Sequence, residues 1–316
     1  MKTLRIGSGA GYSGDRIEPA IELAEHGDLD YLVFECLAER TIALAQQSRL
    51  TDPAAGYDPL LSERMRRVLP FVGKGADGTR RRLRIITNMG AANPLAAAGE
   101  IRRIGAELGL TGLKVAALTG DDVLASLQRG PDRTLDNGAS LRSLGDRLIS
   151  ANAYLGADAL LPALAAKADL VVTGRVADPS LFLAPLVHRL GWARDDWARL
   201  GAGTAVGHLL ECSMQVTGGY FADPPHKVVP NIAQLGFPLA EVATDGSAVI
   251  TKLDGTGGLV SELTVKEQLM YEVHDPTAYL TPDVTADFSS ALIAQAGADR
   301  VAVRSVGGRE RPRQLK

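Results

Sequence analysis

Residues 3–15 read TLRIGSGAGYSGD, a short apolar run that passes into a glycine-rich loop. Residues 3–6 have the aliphatic and β-branched side chains of a buried strand, and residues 17–25 have the apolar spacing of a helix that ends at Gly27. A second buried-strand pattern, YLVFE, occupies residues 31–35. A strand, a loop, a helix and a second strand in this order predict a unit with parallel strands.

The same alternation continues through residues 1–192. Further strands are predicted at residues 83–87, 114–118 and 170–173. Asn93 followed by Pro94 is typical of an N-cap and first helical residue, and Asp121 and Asp178 are interpreted as N-caps in the same way. The fold class predicted for this part is therefore α/β, with a mostly parallel, Rossmann-like sheet and helices on both faces.

Residues 193–316 show a different pattern, which predicts an α+β second half. A helix is predicted from about residue 200 to 214, and a second helix is predicted at residues 263–271. Between them, residues 242–252 contain a predicted turn around Asp245 and Gly246. Residues 300–306 are strand-like. This half forms either a second domain or part of the same one.

Composition and length exclude several classes of protein. The 316 residues suffice for one large or two ordinary domains, and 34 basic against 37 acidic residues give a net charge of −3. Such a balance supplies no global field for nucleic acid or a membrane surface, and the arginine run at residues 80–82 lacks interleaved aromatic residues. Cys36 and Cys212 are too few and too far apart for a disulfide framework, and no signal peptide or membrane-spanning run is evident. The expected location is the cytoplasm.

The glycine loop allows three interpretations. Gly9, Gly11 and Gly14 follow a strand and precede a helix, and Glu35 lies about 20 residues further on, which formally satisfies the dinucleotide fingerprint. Asp15, however, places a carboxylate where the phosphate charge would lie. The loop is therefore a nicotinamide or flavin site, a site where these three glycines and Asp15 hold another anionic group or substrate carboxylate, or a structural turn.

Polar residues at the predicted strand ends form a second group of candidates. In an open parallel sheet, ligands bind outside the carboxyl ends of the strands. Asn88, Asn93 and Arg175 are candidate substrate-binding residues there, and Asp178 is a candidate acid or base. Glu35 closes an apolar strand without a capping role, and its burial would raise its pKa and suit it to acid or base catalysis.

The third candidate is a helix face in residues 207–212, GHLLEC. Helical spacing places His208 beside Glu211 and Cys212. This face could pair a general base with an orienting carboxylate, bind zinc, or simply pack in the interior. Because no further ligand occurs at a recognised spacing, no metal site is predicted.

Several longer motifs resemble one known family. They are IGSGAGYSGDR at 6–16, DYLVFECLAE at 30–39, TNMGAANP at 87–94, GRVADP at 174–179, GHLLEC at 207–212, TGGYFAD at 217–223, GG at 257–258 and VKEQLMYEVHDP at 265–276. Together they resemble the acyclic terpene utilisation AtuA family over nearly the whole chain. The resemblance implies a link to bacterial breakdown of acyclic terpenes such as citronellol and geraniol, whose intermediates are branched acyl-CoA thioesters.

Family members are usually longer than this chain, and many carry a small ferredoxin-like α+β region after it. The sequence ends at Lys316, within the region that the family continues. We therefore expect that region to be absent here, or to be supplied separately as a partner.

The resemblance and the candidate residues together imply a catabolic enzyme that acts on a carboxylate or acyl-CoA thioester in a lyase or hydratase step. The glycine loop would hold an anionic group, and Glu35, His208, Glu211 or Asp178 would move the proton. No cofactor is required, although coenzyme A would form part of the substrate. The alternatives are an NAD(P)-dependent oxidoreductase that uses the glycine loop and a non-catalytic subunit or binding module. A homo-oligomer is expected, with neither nucleic acid nor membrane as a partner.

Overall fold

The computed structural model describes residues 3–73 and 82–314, so Arg80 and Arg81 of the arginine run lie outside the described residues. Helices and strands alternate through the first half. Its elements are β1 (Thr3–Ala10), α1 (Glu18–His26), β2 (Tyr31–Phe34), α2 (Glu39–Thr51), α3 (Leu61–Val68), β3 (Arg84–Thr87), α4 (Pro94–Glu107), β4 (Val115–Leu118), α5 (Leu124–Arg129), α6 (Leu161–Ala165), β5 (Leu170–Thr173) and α7 (Asp178–Leu190).

The second half begins with a long helix and continues mainly as strands. Its elements are α8 (Trp197–Glu211), β6 (Pro238–Ala243), β7 (Ala248–Lys252), α9 (Glu262–Leu269), β8 (Tyr279–Leu280), β9 (Thr285–Asp287), β10 (Leu292–Gly297), β11 (Arg300–Arg304) and β12 (Gly307–Arg309).

Nine of these strands form one mixed sheet in the order β10-β11-β7-β6-β1-β2-β3-β5-β4. The strands β1, β2, β3, β5 and β4 are parallel, whereas β6 pairs antiparallel with β1 and is followed by three further antiparallel strands. A small second sheet has the order β12-β9-β8. The protein is therefore a mixed α/β protein, and strands of its second half extend the sheet built by the first. The division near residue 192 stays a prediction.

Helices cover both faces of the parallel strands. Leu32 and Phe34 of β2 pack in a core with α1, α3 and α4, whereas Tyr31 and Val33 pack in the opposite core with α7 and α8. Burying one large aliphatic side chain contributes about 1.5–3 kcal/mol, so a four-residue strand buried on both faces is strongly held in place.

The first strand is longer than predicted. β1 continues to Ala10, so Gly9 lies inside the strand, and α1 begins only at Glu18. The reason is steric: a Cβ on Gly9 would lie 2.6 Å from the ring of Phe34, so glycine lets the neighbouring strand pack closely. The predicted end of the helix is confirmed, because Gly27 is its C-cap.

Only one of the three predicted N-caps is confirmed. Asn93 caps α4, and its side chain accepts a hydrogen bond from the Ala96 amide at 3.2 Å. Asp178 is the first residue inside α7 rather than its cap, and Asp121 does not cap α5, whose N-cap is Val123. Both aspartates interact instead with Arg175, Asp121 across 54 positions of the chain and Asp178 from three residues away. The helix predicted at residues 200–214 begins and ends about three residues earlier, at Trp197–Glu211, because Asp196 is its N-cap.

The carboxyl ends of β3 and β5 form the point where the connections diverge. After β3 the chain enters α4 on one face, and after the adjacent β5 it enters α7 on the opposite face. In open α/β sheets such a divergence creates the crevice where ligands bind. Glu35, Asn88 and Arg175 follow β2, β3 and β5, and they therefore lie at this edge of the sheet.

Candidate functional site

Glu35 follows the buried strand β2 directly, and about 8% of its surface is exposed. Its backbone amide donates to the Ala10 carbonyl at 3.2 Å, which holds the residue against the end of β1. Its Oε1 accepts from the Leu37 amide and from Asn88 Nδ2, each at 2.9 Å. Within the described residues Oε2 accepts no hydrogen bond, so one oxygen is held and the other is available.

Burial raises the pKa of Glu35 from 4.5 to about 7. The positive charge of Arg175 and the hydrogen bonds from Asn88 and Leu37 oppose this rise, while the negative charge of Glu211 adds to it. A carboxyl with a pKa near neutrality can both accept and donate a proton under physiological conditions. The expectation that burial raises the pKa of Glu35 is confirmed.

Asn88 follows β3 and is fully buried. Its Oδ1 accepts from the Cys36 amide at 2.7 Å, so its Nδ2 must face Glu35. The uncharged side-chain amide of Asn88, whose orientation is set by the Cys36 amide, thereby holds the carboxyl of Glu35 in place. The sequence predicted that Asn88 lies in the site, and the structure places it beside the candidate acid or base.

Arg175 is 2% exposed, and protein groups surround its guanidinium. Nε and Nη2 donate to the Val176 carbonyl at 3.0 and 2.7 Å, Nη1 donates to the Leu37 carbonyl, and Nη2 forms an ion pair with Asp178. Its guanidinium carbon lies 4.4 Å from the centre of the Tyr154 ring. These contacts bring Arg175 and Asp178 together. Direct substrate binding by Arg175 and catalysis by Asp178 stay predictions.

His208 and Glu211 form the pair that helical spacing predicted. Nδ1 of His208 lies 2.8 Å from Oε1 of Glu211 and 3.4 Å from the hydroxyl of Tyr279, and Phe288 stacks beside the imidazole. With Glu211 ionised, Nδ1 carries the proton and Nε2 is left as a proton acceptor. His208 Nε2 and Glu211 Oε2 are both buried without a hydrogen-bond partner, which marks them as atoms that a substrate or water would satisfy.

The C-terminal end of α8 brings this pair to the end of β1. A Cβ on Gly11 would lie 2.5 Å from the backbone carbon of Cys212, so only glycine permits this approach. Burial raises the pKa of Cys212 and the charges of Glu211 and Glu35 add to this rise, while the charge of Glu211 also adds to the raised pKa of Glu35. Glu35, His208 and Glu211 therefore belong to one electrostatic cluster.

The glycine loop has contacts within the protein that account for its composition. Gly9 faces Phe34, Gly11 faces Cys212, and a Cβ on Gly14 would lie 3.0 Å from the Tyr12 ring. The Gly11 amide already donates to Asp15 at 2.9 Å. These contacts favour the structural interpretation of the glycines; anion binding by Gly9, Gly11, Gly14 and Asp15 stays a prediction.

Asn93 also connects backbone segments. Besides capping α4, its Nδ2 donates to the carbonyls of Pro53 and Ala55 at 2.9 and 2.8 Å. It thereby holds the loop after α2 against the start of α4. A contact between Asn93 and substrate stays a prediction.

A cavity of about 650 Å³ lies next to two hydrogen-bond donors of Glu35, although Glu35 itself does not line it. Leu37 and Asn88, the two donors to Glu35, form part of its wall. The remaining lining comes mainly from α2, the loop that follows it and the residues after β3. Those residues are Ser13, Cys36, Thr41, Leu44, Ala45, Ser48, Asp52, Ala54, Ala55, Gly56, Tyr57, Asp58, Pro59, Ser62, Met89 and Ala91.

The residues that line this cavity are suited to contact an uncharged part of a ligand. Aliphatic side chains and hydroxyls predominate, and among the described residues no lysine or arginine lines the cavity. Its buried carboxyl, Asp58, accepts from the Leu60 amide at 2.8 Å and lies 3.7 Å from Nη1 of Arg64. Sequence reasoning missed this wall because α2 is mostly polar and shows no apolar periodicity.

The helix face of His208, Glu211 and Cys212 had also suggested a metal. Within the described parts of the chain, no three His, Cys, Asp or Glu side chains are grouped in a way that would hold a metal ion. Cys36 and Cys212 are free thiols. In residues 3–73 and 82–314, no helix combines the length and apolar character needed to cross a membrane.

Comparison with known families identifies the group to which this fold and site belong. The family model described as acyclic terpene utilisation family protein AtuA matches residues 4–316. The chain belongs to the AtuA family. No curated protein and no solved structure matches it. The family match spans both the parallel strands and the antiparallel extension, and it confirms the resemblance seen in the motifs.

Two tyrosines of this AtuA-family chain lie beside the candidate site and were missed by sequence reasoning. Tyr279 contacts His208, and Tyr154 covers Arg175 and donates to Glu39. Burial raises the pKa of Tyr279, and burial with the Glu39 hydrogen bond raises that of Tyr154 to about 12. Both hydroxyls therefore stay neutral at physiological pH. They lie far along the chain from their partners, and no local pattern marks them.

Proposed function

We propose that this AtuA-family chain is an acid-base enzyme that acts on a carboxylate or acyl-CoA thioester in a lyase or hydratase step. The observation that carries the proposal is the carboxyl of Glu35, which is buried, has a pKa of about 7, and has one oxygen held and the other available. Perturbed acids of this kind at the carboxyl edge of a parallel sheet are typical of catalytic sites. The link of the family to acyclic terpene utilisation supports a catabolic substrate.

The two titratable groups are suited to complementary roles in the addition of water to an α,β-unsaturated thioester. Nε2 of His208, with Nδ1 directed at Glu211, accepts a proton from water as the water oxygen bonds to the β-carbon. Protonated Glu35 donates its proton to the α-carbon. The step breaks the C=C π bond, one O–H bond of water and the O–H bond of Glu35, and it forms one C–O, one C–H and one N–H bond. It leaves imidazolium and carboxylate, which are reset by proton exchange with solvent. The reverse sequence is the elimination.

The cavity beside Glu35 is suited to the acyl portion of such a substrate. Its walls are aliphatic and hydroxylated, and Leu37 and Asn88 connect it to the catalytic carboxyl. Carboxylates at Asp52 and Asp58 disfavour a negatively charged group there. The thioester form of the substrate therefore fits this cavity better than the free acid.

The oxidoreductase alternative depended on the glycine loop. Because Gly9 and Gly11 face Phe34 and Cys212 and the Gly11 amide already donates to Asp15, their packing explains the motif without a dinucleotide. Glu35, which would bind the ribose in that alternative, is held by Asn88 and Leu37. We therefore do not propose that alternative.

The proposal is tested by deuterium incorporation. The protein is incubated in D₂O with branched saturated and α,β-unsaturated acyl-CoA thioesters and their free acids, and mass spectrometry follows deuterium at the α-carbon. We expect exchange or hydration with at least one thioester, and a loss of about 100-fold or more in Glu35→Gln.

The matched control is Asp283→Asn. Asp283 is also buried, and burial raises its pKa to about 6, but it accepts hydrogen bonds from Ser180 and the Ala157 amide rather than from the donors that hold Glu35. The rate of deuterium incorporation by Asp283→Asn should be close to that of the unmodified protein. No turnover with any thioester, or equal turnover in Glu35→Gln, would contradict the proposal; with substrate binding intact, the first result would favour a binding module.

A further inference from the structure

Ser213 begins a short 3₁₀ turn, Ser213–Gln215, that follows α8 and Cys212. Its φ is +48°, in the left-handed region that favours glycine. Eight non-glycine residues of the described chain have a positive φ, and only Ser213 and Ala91 among them are buried. Ala91 lines the cavity next to the donors of Glu35. Because strained residues concentrate at functional sites, the conformation of Ser213 directs attention to its side chain.

The Ser213 hydroxyl is fully buried and has no hydrogen-bond partner among the described residues. Eight buried side-chain atoms share this property there, and six of them lie on α8, on the turn after it, or on Gln268, which donates to the His208 carbonyl at 3.2 Å. Protein interiors pair nearly all of their buried polar atoms, so this concentration indicates where a ligand supplies the partners. The six atoms are Thr204 Oγ1, His208 Nε2, Glu211 Oε2, Ser213 Oγ, Gln215 Oε1 and Gln268 Oε1.

The turn that begins at Ser213 lies at the same end of β1 as Glu35. Cys212, the residue before Ser213, packs against Gly11, since a Cβ on Gly11 would lie 2.5 Å from the Cys212 backbone carbon. Ala10, the last residue of β1, accepts a hydrogen bond from the Glu35 amide at 3.2 Å. The turn therefore connects the helix that carries the proposed general base to the strand end that holds the proposed general acid.

The proposed hydration needs a hydrogen-bond donor to the thioester oxygen. As water bonds to the β-carbon, π electrons move towards this oxygen before the α-carbon accepts its proton, and a donor placed there stabilises the transition state. The donors at the sheet edge are already engaged. The Gly11 amide donates to Asp15, Asn88 donates to Glu35, and the guanidinium of Arg175 is surrounded by protein groups.

Only a hydroxyl among the six unpaired atoms can supply this donor. With the proton on Nδ1, Nε2 of His208 is an acceptor, as are Oε2 of Glu211 and the two glutamine oxygens, whereas serine and threonine hydroxyls also donate. Thr204 lies about two helical turns before the end of α8 that meets Gly11, and Ser213 lies just after that end. Ser213 is therefore the hydroxyl nearest to the proposed site along this helix.

We propose that Ser213 is a further substrate-binding residue, whose hydroxyl donates to the carbonyl oxygen of the thioester while Glu35 and His208 move the protons. This inference rests on the proposed function and adds the group that stabilises negative charge on the substrate. The depth of Ser213 keeps solvent away from the oxygen, and a hydrogen bond to developing charge is strongest where water is excluded.

Infrared spectroscopy of a bound thioester tests this contact without turnover. The probe is isovaleryl-CoA with ¹³C at the thioester carbonyl, a saturated thioester that cannot be hydrated. We expect the unmodified protein to lower the carbonyl stretching frequency of the bound probe, because a hydrogen bond weakens the C=O bond. Ser213→Ala should bind the probe and lose at least half of this shift.

Turnover and stability separate a substrate contact from a structural role. Ser213→Ala and Ser213→Gly should each lose about 100-fold in kcat with little change in KM, because the donor acts mainly in the transition state. Neither variant should have a lower urea midpoint, because the hydroxyl has no partner within the protein. Glycine also relieves the positive φ, so Ser213→Gly keeps the test decisive if the alanine variant fails to fold.

The matched control is Ser305→Gly. Ser305 has a φ of +59° but is exposed, so glycine should raise the urea midpoint there while kcat stays unchanged. Full kcat in both Ser213 variants, an equal carbonyl shift in Ser213→Ala, or failure of the probe to bind would overturn the Ser213 contact and leave hydration by the unmodified protein as a separate result. A shift that Ser213→Ala abolishes, in a protein without turnover, would support the contact and contradict the proposed reaction.

Discussion

Asn88 Nδ2 donates to Glu35 Oε1 at 2.9 Å, while Asn88 Oδ1 accepts from the Cys36 amide at 2.7 Å. One buried amide at the end of β3 thus orients the carboxyl that follows β2. It stabilises the ionised form of Glu35 against the opposing effect of burial. The protonation of the candidate catalytic group therefore depends on the register between two strands.

Asn88→Ala removes this donor. We expect the pKa of Glu35 to move above 7, because the hydrogen bond that lowers it is lost, and unfolding free energy to fall by about 1–3 kcal/mol because the Cys36 amide is left unpaired. A pH series of deuterium incorporation and urea unfolding measure the two effects. Asn93→Ala should lose about 1 kcal/mol as a helix cap without moving the pH midpoint. An unchanged midpoint in Asn88→Ala would show that the amide does not control Glu35.

The raised pKa of Glu35 predicts a pH-dependent stability. Because the folded state binds the proton more tightly than the unfolded state, the contribution of Glu35 to the free energy of unfolding is complete below pH 4.5. This contribution falls by up to about 3 kcal/mol as the pH rises to about 7. Glu35→Gln removes this dependence. The unfolding free energy of the variant should therefore increase relative to that of the unmodified protein as the pH rises from 4 to 8. For Asp283→Asn the corresponding change should end near pH 6. A constant difference for Glu35→Gln across that range would disprove the shift.

Glu211→Gln tests the role of the His208 pair. The neutral amide removes the negative charge that favours a proton on Nδ1 of His208, so the tautomer that leaves Nε2 free should lose population and turnover should fall about 100-fold. Nitrogen NMR of the imidazole reports the tautomer, and deuterium incorporation reports the rate. Glu267→Gln, on α9 and paired with Lys227, is the control. A lost rate with an unchanged tautomer would assign Glu211 another role.

Ala45→Trp tests the cavity. Ala45 lines it from α2, and an indole there would occupy much of the space assigned to the acyl chain. We expect KM for the active thioester to rise at least tenfold with little change in the pH midpoint of turnover. Leu50→Trp, on the same helix and 70% exposed, should leave KM unchanged. Equal KM values in both variants would place the acyl chain elsewhere.

The glycines of the first loop should behave as packing residues. Gly9→Ala and Gly11→Ala force a Cβ against Phe34 and Cys212, and each should lose about 1–3 kcal/mol of unfolding free energy. Gly99→Ala, in α4 with nothing near its Cβ, should gain about 0.5–1 kcal/mol because alanine favours helix. Urea unfolding without ligand measures all three. If Gly9→Ala and Gly11→Ala retain full stability, the packing explanation is wrong.

The sequence by itself determined the features that depend on neighbours along the chain. Apolar runs predicted β2, β3 and β5, the Asn93-Pro94 pair predicted the start of α4, and helical spacing predicted that His208 meets Glu211. Each follows from the periodicity of a strand or helix, or from a side chain that reaches only three or four residues. Even the raised pKa of Glu35 follows from its position at the end of a fully apolar strand.

Only the tertiary structure decided which distant groups meet. Arg175 reaches Leu37 across 138 positions, Asn88 reaches Glu35 across 53, and Tyr279 reaches His208 across 71. A further long-range contact, from the Arg175 amide to Asp121 across 54 positions, takes Asp121 away from the cap that local rules assigned to it. Such pairings depend on strand order and helix packing, whose energies are summed over both cores and are not encoded in any short window of residues.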